Sequence, residues 1–236
     1  MASKTSLARV AGLLYLIVAV CGGFSELHVR SGVVVPGDAA ATAENVSASA
    51  TLFRIGFVSD LVNITCFLLV ALTLYVLLEH VGHEVALAMV LLVAVSVAIM
   101  GVNLLNHLGA LLVATGAGYS AALGGDAADA LVMLFLDLHK HGYLIAQTFF
   151  GLWLLPLGYL VFRSGYFPRA LGVLLVVACL GYMADLVAVL LSPSLESSLS
   201  PFVLAPAVVA ELSLVLWLLV KGVSVQTRDE PVPAAA

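Results

Sequence analysis

Residues 85–114 read VALAMVLLVAVSVAIMGVNLLNHLGALLVA, a stretch without a single Asp, Glu, Lys or Arg. Crossing a bilayer takes about 20 predominantly apolar residues as a helix. This run exceeds that length, and no soluble domain offers a core deep enough to hide it on all sides. Similar runs bounded by charge, Gly or Pro lie at 8–27, 53–78, 142–163, 168–191 and 202–221. The fold class they set is all-α: a polytopic membrane bundle of six transmembrane helices. Composition agrees, with 63% of the 236 residues hydrophobic and 10% charged, against about 45–50% and about 25% in soluble domains.

The length leaves room for one transmembrane domain over 1–222 and a short disordered cytoplasmic tail over 223–236. Lys4 and Arg9 precede the first apolar run, and five further spans follow it, so that run is expected to be an uncleaved anchor. A net charge of −5 spread over loops points to no nucleic acid, and the partner the composition demands is the lipid bilayer. Cys21, Cys66 and Cys179 form no CxxC pair and read as small buried side chains.

Orientation follows from the cations beside the spans. With the N-terminus inside, Lys4, Arg9, Arg163, Arg169, Lys221 and Arg228 are cytoplasmic, and Arg30, Arg54 and Lys140 lie opposite. The expectation is N-in and C-in, as a multi-pass protein of the inner (plasma) membrane. The two long connections then face outward. Pro36-Gly37-Asp38 opens the first, with Asp38 as an N-cap for a short helix. The second, 115–141, becomes periodic from Asp126, which reads as an amphipathic helix leading into the fourth span; a bend near Gly142 or a protruding end is expected to absorb the excess length, and Pro156 to kink the span further on.

Polar residues in the spans gather at one depth. Glu26, His28 and Arg30 end the first span; Asp60 and Asn63 fall in the opening turns of the second. Asn103, Asn106 and His107 come late in the third, and Asp137, His139, His141 and Gln147 early in the fourth. Asp185 and Glu211 add the fifth and sixth. A charge in hydrocarbon costs at least about 2.5–3.5 kcal/mol, so each needs a partner or a purpose. The inner half has no such residues and reads as an apolar plug below a cavity open outward. Spacing of four puts Glu26 with Arg30, Asn103 with His107 and Asp137 with His141 on shared faces, and spacing of three does the same for Asp60 with Asn63 and Tyr182 with Asp185. His139, two residues from His141, falls on another face.

The leading reading is a ligand-binding or accessory protein whose outward pocket, lined by Asp60, Asn63, His107, His141, Asp185 and Glu211, takes a small molecule or a lipid. Glu26, Arg30 and Arg54 read as helix-end ion pairs. Two alternatives stand beside it. One is a metal-dependent hydrolase of an outer-leaflet lipid, with a divalent metal on His107, Asp137 and His141, joined by either Asp60 or Glu211. The other is a proton-coupled transporter, which must explain the apolar inner half. Haem between His107 and His141 is a further cofactor reading.

Several strings carry a family resemblance: Ala11-Gly-Leu-Leu-Tyr15, Pro36-Gly-Asp-Ala-Ala40, Asp137-Leu-His139, Phe150-Gly-Leu-Trp-Leu-Leu-Pro-Leu-Gly-Tyr159 and Phe167-Pro-Arg-Ala-Leu-Gly172. Together they resemble a bacterial family of multi-pass membrane proteins catalogued as a domain of unknown function. The resemblance implies a single-domain bacterial inner-membrane protein and assigns no catalytic residue.

Overall fold

The apolar runs form helices, and among the described residues six are long and apolar enough to cross a membrane. The computed structural model describes residues 3–191 and 196–223. The expected disordered tail lies outside the described residues apart from Val223. Helix α1 (Lys4–Phe24) continues through a π-helical segment, Ser25–Arg30, into a last turn, α2 (Ser31–Val33). In the first long connection sits α3 (Ala39–Ala48), where the Asp38 side chain accepts from the Ala41 N–H at 2.9 Å. The second and third spans are α4 (Ala50–Leu78) and α5 (His83–Thr115). A short α6 (Ala117–Leu123) precedes the fourth span, α7 (Gly125–Leu152) with α8 (Leu154–Arg163). The fifth and sixth are α9 (Arg169–Leu191) and α10 (Glu196–Val220).

Each span packs against its neighbours in sequence, and α1 also packs against α10, so the six close into a ring. Small residues set the closest approaches, as expected where lipid provides no hydrophobic drive between helices. A Cβ on Gly172 would meet the Gly158 carbonyl and the Phe162 nitrogen at 2.7 Å, so the α8 and α9 backbones touch. Leu13, Leu91, Val102, Leu105, Leu180 and Leu216 are exposed on the outside of the ring, the pattern of a surface facing lipid rather than water.

The fourth span runs unbroken through Gly142 and is interrupted at Trp153, in the turn before the Pro156 that the sequence marked as a kink. Pro156 has no N–H for the carbonyl four residues back, at Leu152, which interrupts the ladder there. Gly142 has a different use. A Cβ on it would overlap the Asn103 side-chain amide, so its lack of a side chain lets α7 lie against α5 with that amide between them.

Two apolar clusters divide the interior. The larger fills the end of the ring holding both termini: Leu74, Leu77, Met89, Trp153, Leu157, Leu160, Leu175, Leu214 and Leu218 are almost fully buried in it. The smaller lies at the end carrying the long connections, where α3 and the start of α7 bring Ala43, Val46, Ala128 and Val132 onto Val29, Val33, Phe53 and Leu111. The polar residues of the spans lie largely between the two. They form a layer capped by an apolar lid, so the cavity open outward that the sequence suggested is not what the chain builds.

Candidate functional site

The π-helical segment carries the first contact. Ser25, Val29 and Val33 recur every four residues and are all buried. In an α-helix two steps of four drift by about 80° around the axis, and the inserted π turn, which takes in more residues, offsets part of that drift. Arg30 reaches the second span, and its Nη1 donates to Asp60 Oδ2 at 2.6 Å while its Nε donates to Glu26 Oε2 at 2.8 Å. The side chains of Arg30 and Asp60 are each 11% exposed, but that of Glu26 is 63% exposed. The inner pair is therefore the one shielded from water. Arg54, expected in a helix-end pair, is exposed and takes no part in the Glu26–Arg30–Asp60 pairs.

Next to Asp60 stand two buried histidines. The His107 ring stacks on Phe53, with centroids 3.9 Å apart, and its Nε2 lies 3.0 Å from the Phe53 carbonyl. A carbonyl only accepts, so Nε2 carries the proton and Nδ1 presents a lone pair. That Nδ1 is buried without a partner. His139 sits edge-on to His107 at 5.7 Å, and its Nδ1 faces the Asn103 carbonyl at 3.3 Å. The same rule leaves the lone pair of His139 on Nε2. Asn103 reciprocates by donating Nδ2 to the His139 carbonyl at 2.8 Å, and its Oδ1 accepts from Asn106 at 3.0 Å. One ligand atom each from Asp60, His107 and His139 lie within 4.8 Å of one another.

This corrects the expected histidine. His141 and Asp137 are exposed, and His141 Nδ1 turns back to the Asp137 carbonyl at 2.7 Å. The structure does not bring them to His107. Residue 139 takes the inward position because the face of α7 against α5 runs through Leu136, His139 and Gly142 in steps of three. No haem-type pairing of His107 with His141 exists in this arrangement.

Deeper in the layer, Asn63 donates Nδ2 to the Val18 carbonyl at 2.7 Å beside Gly22, a contact that ties the first two spans together. Asp185, 3% exposed, accepts from Gln147 Nε2 at 2.9 Å through Oδ2, and its Oδ1 has no partner. Glu211 is held by two phenols, Tyr15 at 2.5 Å and Tyr182 at 2.7 Å. Trp153 lies edge-on below Tyr15 and Phe67, where the large apolar cluster begins. The six residues expected to line one pocket are thus distributed over three arrangements: Asp60 with His107, Asn63 alone, and Asp185 with Glu211 linked through Gln147 and Tyr182, with His141 outside. Neither of the two surface cavities that stand out includes any of them. One, of about 710 Å³, is an apolar groove beside Pro156 and Tyr159; the other, of about 340 Å³, lies between α3 and α7 at Glu44 and Asp129.

Sequence reasoning put His139 on a face apart from the site, set Tyr182 beside Asp185 rather than Glu211, and missed Tyr15. Tyr15 and Tyr182 are the signal for Glu211, since a buried carboxylate without a cation needs donors, but only tertiary structure shows which phenols reach it.

A family model described as "Domain of unknown function (DUF4386)" matches residues 10–222, and the chain belongs to that family. It is also 33% identical over 78 residues to an uncharacterized protein of Archaeoglobus fulgidus, an alignment covering 33% of this chain and 44% of that protein. The chain thus matches less than half the length of that relative. No solved structure matches it.

Proposed function

We propose that this member of the DUF4386 family is a multi-pass membrane binding protein that takes a cationic or hydrogen-donating group into the polar layer from the side bearing the long connections. The observation that carries the reading is the pair of buried acceptors, His107 Nδ1 and Asp185 Oδ1, that the fold leaves without donors. Leaving such a group desolvated and unpaired costs about 1–3 kcal/mol, and what satisfies a bare acceptor is a cation or an N–H or O–H group. The two other unpartnered buried polar atoms among the described residues, Ser200 Oγ and Trp217 Nε1, belong to the sixth span.

The orientation that follows from Lys and Arg puts this side outside the cytoplasm of a cell bounded by its plasma membrane. Access requires the lid cluster around Val46 and Val132 to part. The apolar cluster at the opposite end closes the path through the bundle in this conformation, which favours binding over conduction.

Thermal unfolding of the detergent-solubilised protein against a panel of inorganic cations and small alkylammonium salts tests the proposal. A ligand at 100 times its Kd adds about 2.7 kcal/mol to stability. At least one cation is expected to raise the melting temperature, and the gain is expected to shrink in Asp185→Asn or His107→Ala. A panel that shifts nothing, or a shift that both variants keep in full, refutes it.

A further inference from the structure

We infer that Asp60, His107 and His139 form a binding site for a borderline divalent transition metal of the zinc or iron(II) class. The inference rests on the binding reading above and narrows it to one ligand class at one place. Three features point to a metal rather than to a structural hydrogen-bond cluster.

The first is the direction of the lone pairs. Each histidine gives one ring N–H to a backbone carbonyl, His107 to Phe53 and His139 to Asn103, which frees the opposite nitrogen. Metal-bound histidines are oriented in this way, the outer hydrogen bond fixing the tautomer and raising the basicity of the ligating nitrogen.

The second is the orphan. His107 is fully buried, and its Nδ1 has no partner. A purely structural histidine in an apolar surrounding satisfies both nitrogens or exposes one.

The third is the carboxylate. Arg30 engages Asp60 through Oδ2, which leaves Oδ1 for an ion, and the guanidinium is held in turn by Glu26. The charges of Glu26, Asp60 and Arg30 sum to minus one, so a divalent ion leaves plus one rather than a concentrated positive charge. The ligand atoms lie within 4.8 Å of one another. A tetrahedral ion with bonds of about 2.0–2.1 Å needs them about 3.3 Å apart, so binding draws the three ligands together.

Two imidazoles and one carboxylate disfavour magnesium and calcium, which prefer oxygen ligands. Three protein ligands leave at least one coordination position for water or a ligand.

The test uses the full-length protein in detergent or nanodiscs, stripped with a chelator and titrated with zinc and with cobalt(II). The readouts are bound metal per chain, affinity by calorimetry, and the visible absorption of the cobalt form. The expected result is one ion per chain. His107→Ala and His139→Gln are expected to weaken affinity by about 100-fold or more, while His141→Ala changes it by less than about threefold. Circular dichroism and a monodisperse elution profile confirm that each variant is folded. His139→Gln keeps a donor for the Asn103 carbonyl and serves if His107→Ala fails to fold.

Folded protein that binds neither ion stoichiometrically overturns the assignment. So does binding lost in His141→Ala but kept in His139→Gln. Stabilisation by an alkylammonium salt without metal uptake defeats the metal site and leaves the binding proposal standing; absence of both defeats both.

Discussion

Arg30→Ala is expected to destabilise the metal-free protein by about 3–5 kcal/mol, the cost of leaving one member of a shielded ion pair without its partner. Arg30 bridges Glu26 and Asp60, and its loss strands the Asp60 carboxylate in a layer sealed on both sides by apolar clusters. The control is the double variant Arg30→Met with Asp60→Leu. Removing both charges together is expected to recover most of the loss, because well-packed apolar residues often replace a buried pair at little cost or with a gain. Denaturant unfolding followed by circular dichroism separates the outcomes. A double variant as unstable as Arg30→Ala means that the residues matter for packing and not as a pair.

Glu211→Leu is expected to cost about 2–6 kcal/mol, since it leaves the hydroxyls of Tyr15 and Tyr182 without their acceptor and each unsatisfied group costs about 1–3 kcal/mol. The two phenols come from the first and fifth spans and the carboxylate from the sixth, so this contact pins the seam where the ring closes. Glu211→Gln keeps one acceptor and two donors and is expected to lose less than half as much. Adding Tyr15→Phe and Tyr182→Phe to Glu211→Leu removes the stranded hydroxyls and is expected to restore stability in part. If Glu211→Leu unfolds at the same denaturant concentration as the parent, the tyrosines have other partners.

The six spans were legible because apolar length is a one-dimensional property: thirty uncharged residues at 85–114 need no knowledge of neighbours. The clustering of Asp60, His107 and Arg30 toward one end was legible for the same reason, since depth follows from residue count along a helix. Facing was harder. A spacing rule of four placed His141 with Asp137 and made them a pair, and they do share a face, but that face is exposed.

The inward face of α7 was decided by Gly142, where α7 meets the Asn103 amide of α5, and a glycine reads in sequence as a bend before it reads as a contact. The π-helical stretch at Ser25–Arg30 had no counterpart in the sequence reading, yet it carries both Glu26 and Arg30. The lid escaped notice as well: Ala43, Val46 and Val132 lie in or beside segments read as connections, and only packing against Phe53 and Leu111 shows that they cover the polar layer.

The central claim is that His107 and His139 share a sealed compartment with Asp60 while the remaining histidines face outward. Mass-mapped modification of the folded, solubilised protein by diethylpyrocarbonate tests it most directly. His28, His80, His83 and His141 are exposed, whereas His107 is 0% and His139 6% exposed. The first four are predicted to react rapidly, and His107 and His139 only after the chain is unfolded. Reaction of His139 in the folded protein at the rate of His141, or protection of His141 in its place, contradicts the account.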